Sequence, residues 1–180
     1  DAVALVQQGH HTIYCKVGRG DALDFEIVRQ VREAVGPDIR LRLDPNEAWD
    51  PLVAIRMIER LKAFNPEMIE QPCDHRSLSA LKQIKDASPV AIAADQCVFN
   101  AADVSAVTQM RAADLIVLGL HETGGIGPLK EAAAAAKARA AVAKKAAARA
   151  KAAAAKAAPP AAAPGTTRGC NKYTKDAAGE

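Results

Sequence analysis

The sequence lacks the features that would direct a chain into a membrane or the secretory pathway. No apolar run reaches the roughly 18 residues that a bilayer-spanning helix needs. The first residues lack the basic start of a signal peptide. The four cysteines show no CxxC spacing, and thiols scattered among strand-like segments are typical of a reducing compartment. We therefore expect a soluble, cytoplasmic protein with no membrane partner.

Aromatic residues are also scarce, at 3% of the chain, and none lies in the basic stretch 132–163. That absence disfavours stacking on nucleic-acid bases. Residues 1–131 hold 14 Lys/Arg against 19 Asp/Glu, whereas residues 132–180 hold 10 against 2. Because 22 of the residues 132–163 are alanine, we predict a solvated or a fraying helix to about residue 158 and a disordered end over 159–180. The sequence thus predicts a folded domain over 1–131 and a low-complexity basic tail over 132–180.

Within the first 131 residues, short apolar runs alternate with helical patterns. The predicted strands are 11–17, 40–44, 67–70, 90–95 and 114–120, and the predicted helices between them are 22–35, 51–65, 77–87 and 100–111. The residues predicted to face the core from the first two of these helices are Leu23, Ile27, Val31, Val35, Leu52, Ile55, Ile58 and Leu61. Such alternation with short connections predicts an α/β fold with a parallel sheet.

Three carboxylates, Asp44, Glu70 and Asp95, recur at steps of 26 and 25 residues, each at the end of an apolar run. In a closed parallel barrel, this repeat brings all three to the rim at the C-terminal ends of adjacent strands. Three acids would repel one another there unless a cation lay between them, and oxygen ligands suit Mg²⁺ or Mn²⁺. The sequence therefore predicts a magnesium site, with Mn²⁺ as an alternative ion. Taken singly, each acid could instead cap the helix that follows it.

Five motifs stand in a characteristic order: Tyr14-Cys15-Lys16-Val17-Gly18, Asp44-Pro45-Asn46, Ile69-Glu70-Gln71-Pro72, Ala94-Asp95-Gln96 and Gly124-Gly125. Together they resemble the enolase superfamily, in its mandelate racemase/muconate-lactonizing branch, over about residues 1–136. The resemblance implies part of a (β/α)8 TIM-type barrel, its second to sixth strands. It further implies that Asp44, Glu70 and Asp95 bind Mg²⁺ and that Lys16 is a general base.

The chemistry implied by this resemblance is removal of the proton α to the carboxylate of a small substrate. That proton is very weakly acidic, and a divalent cation stabilises the negative charge of the resulting ene-diolate. Lys16 must be neutral to accept the proton; a lone lysine would otherwise be a solvated charge. Strand alternation places Tyr14 on the same face as Lys16 and Asn46 on the same face as Asp44, so both are candidate substrate-binding residues. Asn46 could instead reach a water on the metal. Tyr14 could equally be a packing residue at the rim.

Three positions depart from the family pattern. Many relatives have a lysine where this chain has Tyr14, the second catalytic lysine is replaced by Gly119, and the usual glutamate after the third metal ligand is Gln96. Loss of a base at position 119 favours one-base chemistry, dehydration or cycloisomerisation, over epimerisation. His121 shares the strand face of Gly119 and is a candidate substitute acid, although it could instead cap the loop.

Two expectations concern the whole chain. Five βα units leave two unpaired strand edges, which favour aggregation or pairing with another chain, a homo-oligomer included. The first, seventh and eighth strands and the family's capping domain are not found, so we expect a truncated or frame-shifted fragment of doubtful intrinsic activity. The alternative function is nucleic-acid binding, because the Lys/Ala/Pro-rich tail resembles the tails of linker-histone-like proteins and its ten cations could neutralise phosphates.

Overall fold

The computed structural model describes residues 1–157. Its strands are β1 (Thr12–Lys16), β2 (Arg40–Asp44), β3 (Met68–Glu70), β4 (Ala91–Ala94) and β5 (Leu115–Ile116). Its helices are α1 (Ala2–Gln7), α2 (Asp21–Val35), α3 (Pro51–Leu61), α4 (Leu78–Ala87), α5 (Ala101–Met110) and α6 (Ile126–Ala157), with a 3₁₀ turn at Lys62–Phe64. The strands form one parallel sheet in the order β1-β2-β3-β4-β5, and a helix joins each strand to the next. The α/β prediction is confirmed, and the architecture is a partial TIM-type barrel.

Local signals in the sequence fix where α3 and α5 start. The Asp50 side chain accepts hydrogen bonds from the backbone N–H groups of Leu52 and Val53, and Pro51 occupies the first turn of α3, where its missing N–H costs little. Asn100 and Asp103 form a reciprocal capping box at the start of α5. These caps end the preceding loops at defined points, which keeps the connections between strands short.

The hydrophobic core lies between the sheet and the helices α2 to α5. Alternate residues of β1, Ile13 and Cys15, are buried on this side, as are Leu41 and Leu43 of β2. The opposite face of these two strands is polar, since alternation and register place there Thr12, Tyr14, Lys16, Arg40, Arg42 and Asp44. The helices therefore cover one side of the sheet and leave the functional side chains on the other.

The predicted buried faces of α2 and α3 are only partly correct. Ile58 and Leu61 are buried as predicted, but Leu23 is 49% exposed and Leu52 is 71% exposed. The residues buried instead are Asp24 and Val28 in α2 and Ala54 and Met57 in α3. Helical periodicity identifies residues that share a face; the approach of small residues such as Ala54 to the sheet decides which face is buried.

The described chain ends in α6, which is helical up to residue 157, as predicted. Packing continues past residue 131, however, because Ala132 is fully buried and Ala135 and Ala136 contact the core. One face of this helix is thus packed at Ala132, Ala135 and Ala136, since alanine allows a close approach to neighbouring elements, while residues such as Ile126 stay exposed. Strand β5 is shorter than the predicted 114–120, because its pairing with β4 ends soon after Ile116.

By backbone contacts, residues 1–143 form one compact unit, which ends within α6. The predicted disordered end, residues 159–180, lies outside the described residues. Within the described residues, no helix combines the length and apolar character that a membrane span requires.

Candidate active site

The three predicted metal-ligating acids lie at neighbouring strand ends. Asp44 ends β2, Glu70 ends β3, and Asp95 directly follows β4. Asp44 and Glu70 are almost completely buried, with relative exposures of 1% and 4%. Because the sheet is parallel and in register at these ends, the structure brings the three carboxyl groups to one edge.

Tyr14 links two of these acids. Its hydroxyl lies 2.6 Å from Asp44 Oδ2 and 2.7 Å from Glu70 Oε1, at hydrogen-bonding distance from both. Burial, together with these two carboxylates, raises the pKa of the Tyr14 phenol far above its ordinary value. Tyr14 is therefore a neutral hydrogen-bond donor, and it stands between two carboxylates as their shared partner.

Lys16 reaches the same site from the end of β1. Its ammonium group forms an ion pair with Asp44 Oδ2 and donates a hydrogen bond to Asn46 Oδ1 at 2.7 Å. The backbone N–H of Asn46 in turn donates to Asp44 Oδ1 at 2.8 Å. The Lys16 side chain is 56% exposed, so its amine is also accessible from solvent. Lys16, Asn46 and Asp44 thus form one connected group.

The electrostatics of the acids indicate a place for a cation. Burial first, and then the charge of Asp44, raise the pKa of Glu70, although the hydrogen bond from Tyr14 opposes this. Burial raises the pKa of Asp95 as well, with further contributions from the charges of Glu122 and Asp44. Neighbouring carboxylates disfavour each other's ionised form, and a divalent cation relieves that repulsion. The donor set, three carboxylates, has the chemistry that Mg²⁺ prefers.

The carboxyl oxygens of Asp44, Glu70 and Asp95 do not all approach within 4.8 Å of one another. In the described part of the chain, the residues whose ligand atoms all lie within 4.8 Å of one another are Glu47, Asp74 and His75, in the loops after β2 and β3. The side chains of this second cluster already have partners, either one another or Arg76. His75 Nδ1 lies 2.6 Å from Glu47 Oε1, and the Arg76 guanidinium lies 2.5 Å from Asp74 Oδ2 and holds the pKa of that carboxyl well below its usual range.

Gln71 connects the loops that carry the acids, a role that sequence analysis missed. Its side chain is completely buried, and its Oε1 accepts a hydrogen bond from the backbone N–H of Asp95 at 3.0 Å. Its backbone N–H donates to Ala93, and its backbone oxygen accepts from Glu47. Its φ of 33° lies in the left-handed region, which turns the chain sharply after β3. The only signal in the sequence was its place in the Glu-Gln-Pro motif.

His121 and Gly119 lie beyond β5, on the far side of the acids from Lys16. The His121 side chain is 90% exposed, and its Nε2 lies 2.7 Å from Glu122 Oε1. Among the predicted site residues, Tyr14, Lys16, Asn46, Asp44 and Glu70 form one contacting group. Asp95 lies within electrostatic reach of that group, and His121 contacts Glu122 instead.

Comparison with known proteins identifies the family. Residues 1–177 match the family model described as "Enolase C-terminal domain-like". The chain belongs to the enolase superfamily. Its similarity to epimerases and cycloisomerases places it in the mandelate racemase/muconate-lactonizing branch.

Two curated relatives and one solved structure illustrate the range of this superfamily. The L-Ala-D/L-Glu epimerase of Clostridium acetobutylicum is 36% identical over 139 residues, which cover 76% of this chain and 39% of that protein. Chloromuconate cycloisomerase CbnB of Cupriavidus necator is 33% identical over 130 residues, covering 72% and 35% respectively. The dipeptide epimerase of Enterococcus faecalis, crystallised with Mg and the dipeptide L-Leu-L-Tyr, aligns with a TM-score of 0.75 at 36% identity, over 77% of this chain and 39% of that one.

The predicted superfamily and its branch are therefore confirmed. The chain spans about two-fifths of the length of the curated enolase-superfamily relatives that it matches. These relatives carry out epimerisation in one case and cycloisomerisation in the other, according to their names. The similarity is thus to enzymes of the superfamily that catalyse more than one type of reaction.

Proposed function

We propose that this site removes the proton α to the carboxylate of a small organic acid, with Mg²⁺, or alternatively Mn²⁺, as the cofactor. The observation that carries this proposal is the contact between Lys16 and Asp44. Asp44 is the first of three acids that lie at the ends of successive strands. A candidate base and candidate cation ligands are thereby adjacent. Relatives that are epimerases or cycloisomerases support the same general chemistry.

Asp44, Glu70 and Asp95 are the residues that would hold the cation. Bound there, a divalent cation supplies the positive charge that stabilises the negative charge developing on the substrate carboxylate. The raised pKa values of Glu70 and Asp95 fit this assignment, because they reflect burial first and then the charge of neighbouring carboxylates, both of which a bound cation would offset. A structural relative contains Mg together with a dipeptide.

Lys16 is the proposed base. Its amine is both exposed to the open side of the sheet and held by Asn46, so it can leave Asp44 and still be oriented. In the neutral form, Lys16 Nζ accepts the α-proton. Tyr14 contributes a neutral hydroxyl that can donate to a carboxylate oxygen, and it adds no charge to the site.

The proposed substrate is a small carboxylate, and the relatives named above make dipeptides the first compounds to test. The more specific prediction of one-base chemistry, dehydration or cycloisomerisation, stays a prediction. It depends on Gly119 bringing no side chain to the site opposite Lys16.

Deuterium exchange tests the proposal. The 180-residue chain is incubated in D₂O with Mg²⁺ and either L-Ala-L-Glu or L-Leu-L-Tyr, and loss of the α-proton signal is followed by NMR. We expect exchange that stops when the metal is chelated. Lys16→Ala should reduce its rate at least about 100-fold, since general bases typically contribute 10²- to 10⁴-fold.

Lys62→Ala is the matched control, because Lys62 is an exposed lysine paired with Glu59 on the helical side of the sheet. It should exchange at the wild-type rate. Exchange that continues in the presence of a chelator, or at an unchanged rate in Lys16→Ala, would contradict the proposal.

A further inference from the structure

The Glu47 side chain joins the loop after β2 to the loop after β3. Its Oε1 accepts a hydrogen bond from the backbone N–H of His75 at 2.5 Å and lies 2.6 Å from His75 Nδ1. Because an ionised carboxylate can only accept, the proton of this second bond belongs to Nδ1. The Glu47 side chain is largely shielded from solvent, with a relative exposure of 29%. Two donors of one residue thus converge on a single carboxylate oxygen and hold the two loops together.

Glu47 belongs to a turn that needs such support. Asn46 and Glu47 have φ angles of 47° and 66°, both in the left-handed region. Residues that carry a side chain adopt this conformation at a cost, so it persists where surrounding contacts impose it. The backbone N–H of Glu47 donates to the Gln71 oxygen at 2.9 Å, and the Glu47 carboxylate adds the two bonds to His75. The side chain of Glu47 is therefore an anchor of the turn.

The same turn presents Asn46 to the candidate base. Asn46 Oδ1 accepts a hydrogen bond from Lys16 Nζ at 2.7 Å, and the Asn46 N–H donates to Asp44 Oδ1 at 2.8 Å. The Lys16 side chain is 56% exposed, so its orientation depends on the contacts that its amine makes. Asp44 is itself a proposed cation ligand, and Asn46 is the contact that can orient the amine while Asp44 has another partner. The contacts that fix the turn thus also fix the direction of Lys16 Nζ.

We propose that Glu47 is a positioning residue for proton abstraction, because its bonds to His75 fix the turn in which Asn46 holds the Lys16 amine. This inference rests on the proposed function. Among the described residues, the Glu47 side chain bonds to His75 rather than to Lys16, so it acts through the adjacent Asn46. A base that is poorly oriented slows the chemical step, whereas it leaves substrate binding largely unchanged. The effect of Glu47 should therefore fall on kcat and not on KM.

Backbone amide exchange, followed by NMR on the 180-residue chain without metal or substrate, tests the turn itself. Glu47→Ala removes both bonds to His75, so the exchange rate of the Asn46 amide should rise at least about tenfold. Glu47→Gln keeps an acceptor oxygen for the same two donors and should stay within about threefold of the wild-type rate. Glu59→Ala is the matched control, because Glu59 is an exposed glutamate paired with Lys62, and it should leave the Asn46 amide unchanged.

Substrate α-proton exchange tests the consequence for Lys16. With L-Ala-L-Glu and Mg²⁺ in D₂O, Glu47→Ala should lower kcat at least about tenfold, while KM changes less than about threefold. Glu47→Gln should recover most of the lost rate, since the acceptor and not the charge holds the turn. His75→Ala removes the Nδ1 donor but leaves the backbone N–H, so it should give a smaller loss in the same direction. It decides the matter if Glu47→Ala does not fold.

A double-mutant cycle identifies the route from Glu47 to Lys16. Asn46→Ala alone should lower kcat, because it removes the acceptor for the Lys16 amine. Adding Glu47→Ala to that variant should cost less than about a further twofold, since the contact through which Glu47 acts is already gone. Residues that merely stabilise the fold would instead give losses that multiply.

The outcomes separate this inference from the proposed function. If the wild-type chain exchanges no substrate α-proton, the proposed function fails, and a role for Glu47 in that reaction fails with it. If the wild type exchanges but Glu47→Ala keeps its kcat, or if the losses in Glu47→Ala and Asn46→Ala multiply, the proposed function stands and positioning through Asn46 is overturned. An Asn46 amide that exchanges at the wild-type rate in Glu47→Ala overturns it as well.

Discussion

Gln71 shows how a single side chain can determine the geometry of several loops. It connects the end of β3 to the backbone of Asp95 through its amide oxygen, and to Cys73 through its amide N–H groups. A leucine has similar volume but offers no acceptor to the Asp95 N–H. A buried donor left unpaired costs about 1–3 kcal/mol.

Gln71→Leu should therefore lower the free energy of unfolding by about 1–3 kcal/mol. Because Asp95 would lose its fixed position, Mn²⁺ affinity should also decrease, as measured by calorimetry. Gln30→Leu, at an exposed position on α2, is the control and should change neither quantity appreciably. Reduced stability with unchanged metal affinity would show that Gln71 supports the core and does not position Asp95.

The buried thiols permit a prediction about pH. Burial raises the pKa of Cys73 to about 11 and that of Cys97 to about 12, because the thiolate is poorly solvated there. Since the thiolate is the reactive form, both thiols should be unreactive at pH 8 in the folded chain, and their reactivity should rise as the pH approaches 11. We expect this with a thiol-specific reagent in a Cys170→Ser background, and rapid reaction at pH 8 after denaturation. Fast alkylation of the folded protein at pH 8 would contradict the burial of these side chains.

At the scale of the elements, several close contacts constrain the loop after β1. Asp24, completely buried in the first turn of α2, accepts hydrogen bonds from the N–H groups of Gly18 and Arg19, both at 2.9 Å. Gly18 has a φ of 92°, and a Cβ there would lie 2.6 Å from the Pro45 oxygen. This loop holds the ends of β1 and β2, and with them Lys16 and Asp44, in a fixed relation.

Gly18→Ala should therefore destabilise the chain by at least about 1–3 kcal/mol, since the new methyl group meets backbone atoms and the φ angle is strained. Chemical denaturation measures this loss. Gly36→Ala is a matched control with φ of 77° and open space around its Cβ position, so it carries the strain without the clash. Equal losses in the two variants would show that the contact with Pro45 is unimportant.

The order and type of these elements could be predicted from sequence because caps, prolines and apolar periodicity act locally. The three acids could be assigned to one edge because strand ends follow directly from the βα repeat. Periodicity alone did not determine which face of α3 is buried, so Leu52 was assigned incorrectly. The role of Gln71 could not be found, because its position depends on a left-handed turn after β3.

At the scale of the whole molecule, the extent of the folded unit can be measured. Ala132 is buried and Ala135 and Ala136 pack on the core, although all three follow the predicted domain boundary at 131/132. Each methyl group removed from water contributes roughly 0.8 kcal/mol. A chain ending at residue 131 should thus be about 2 kcal/mol less stable than one ending at residue 143, by chemical denaturation. Equal stability would support the predicted boundary.

The proposed functions of the C-terminal segment and of the strand edges remain predictions. Nucleic-acid binding through the basic tail, self-association through β1 and β5, and the fragment hypothesis are not tested by the described residues. The same pair of truncated chains separates the folded unit from the cationic residues beyond it.

The candidate base Lys16 ends the outermost strand β1, whereas the candidate cation ligands lie at the ends of the three inner strands. Inner strands are bonded on both sides and tolerate little change, but an outer strand or the turn after it can vary without disturbing its neighbours. Changes at the margin of the sheet can therefore alter the candidate base without displacing the three candidate cation ligands.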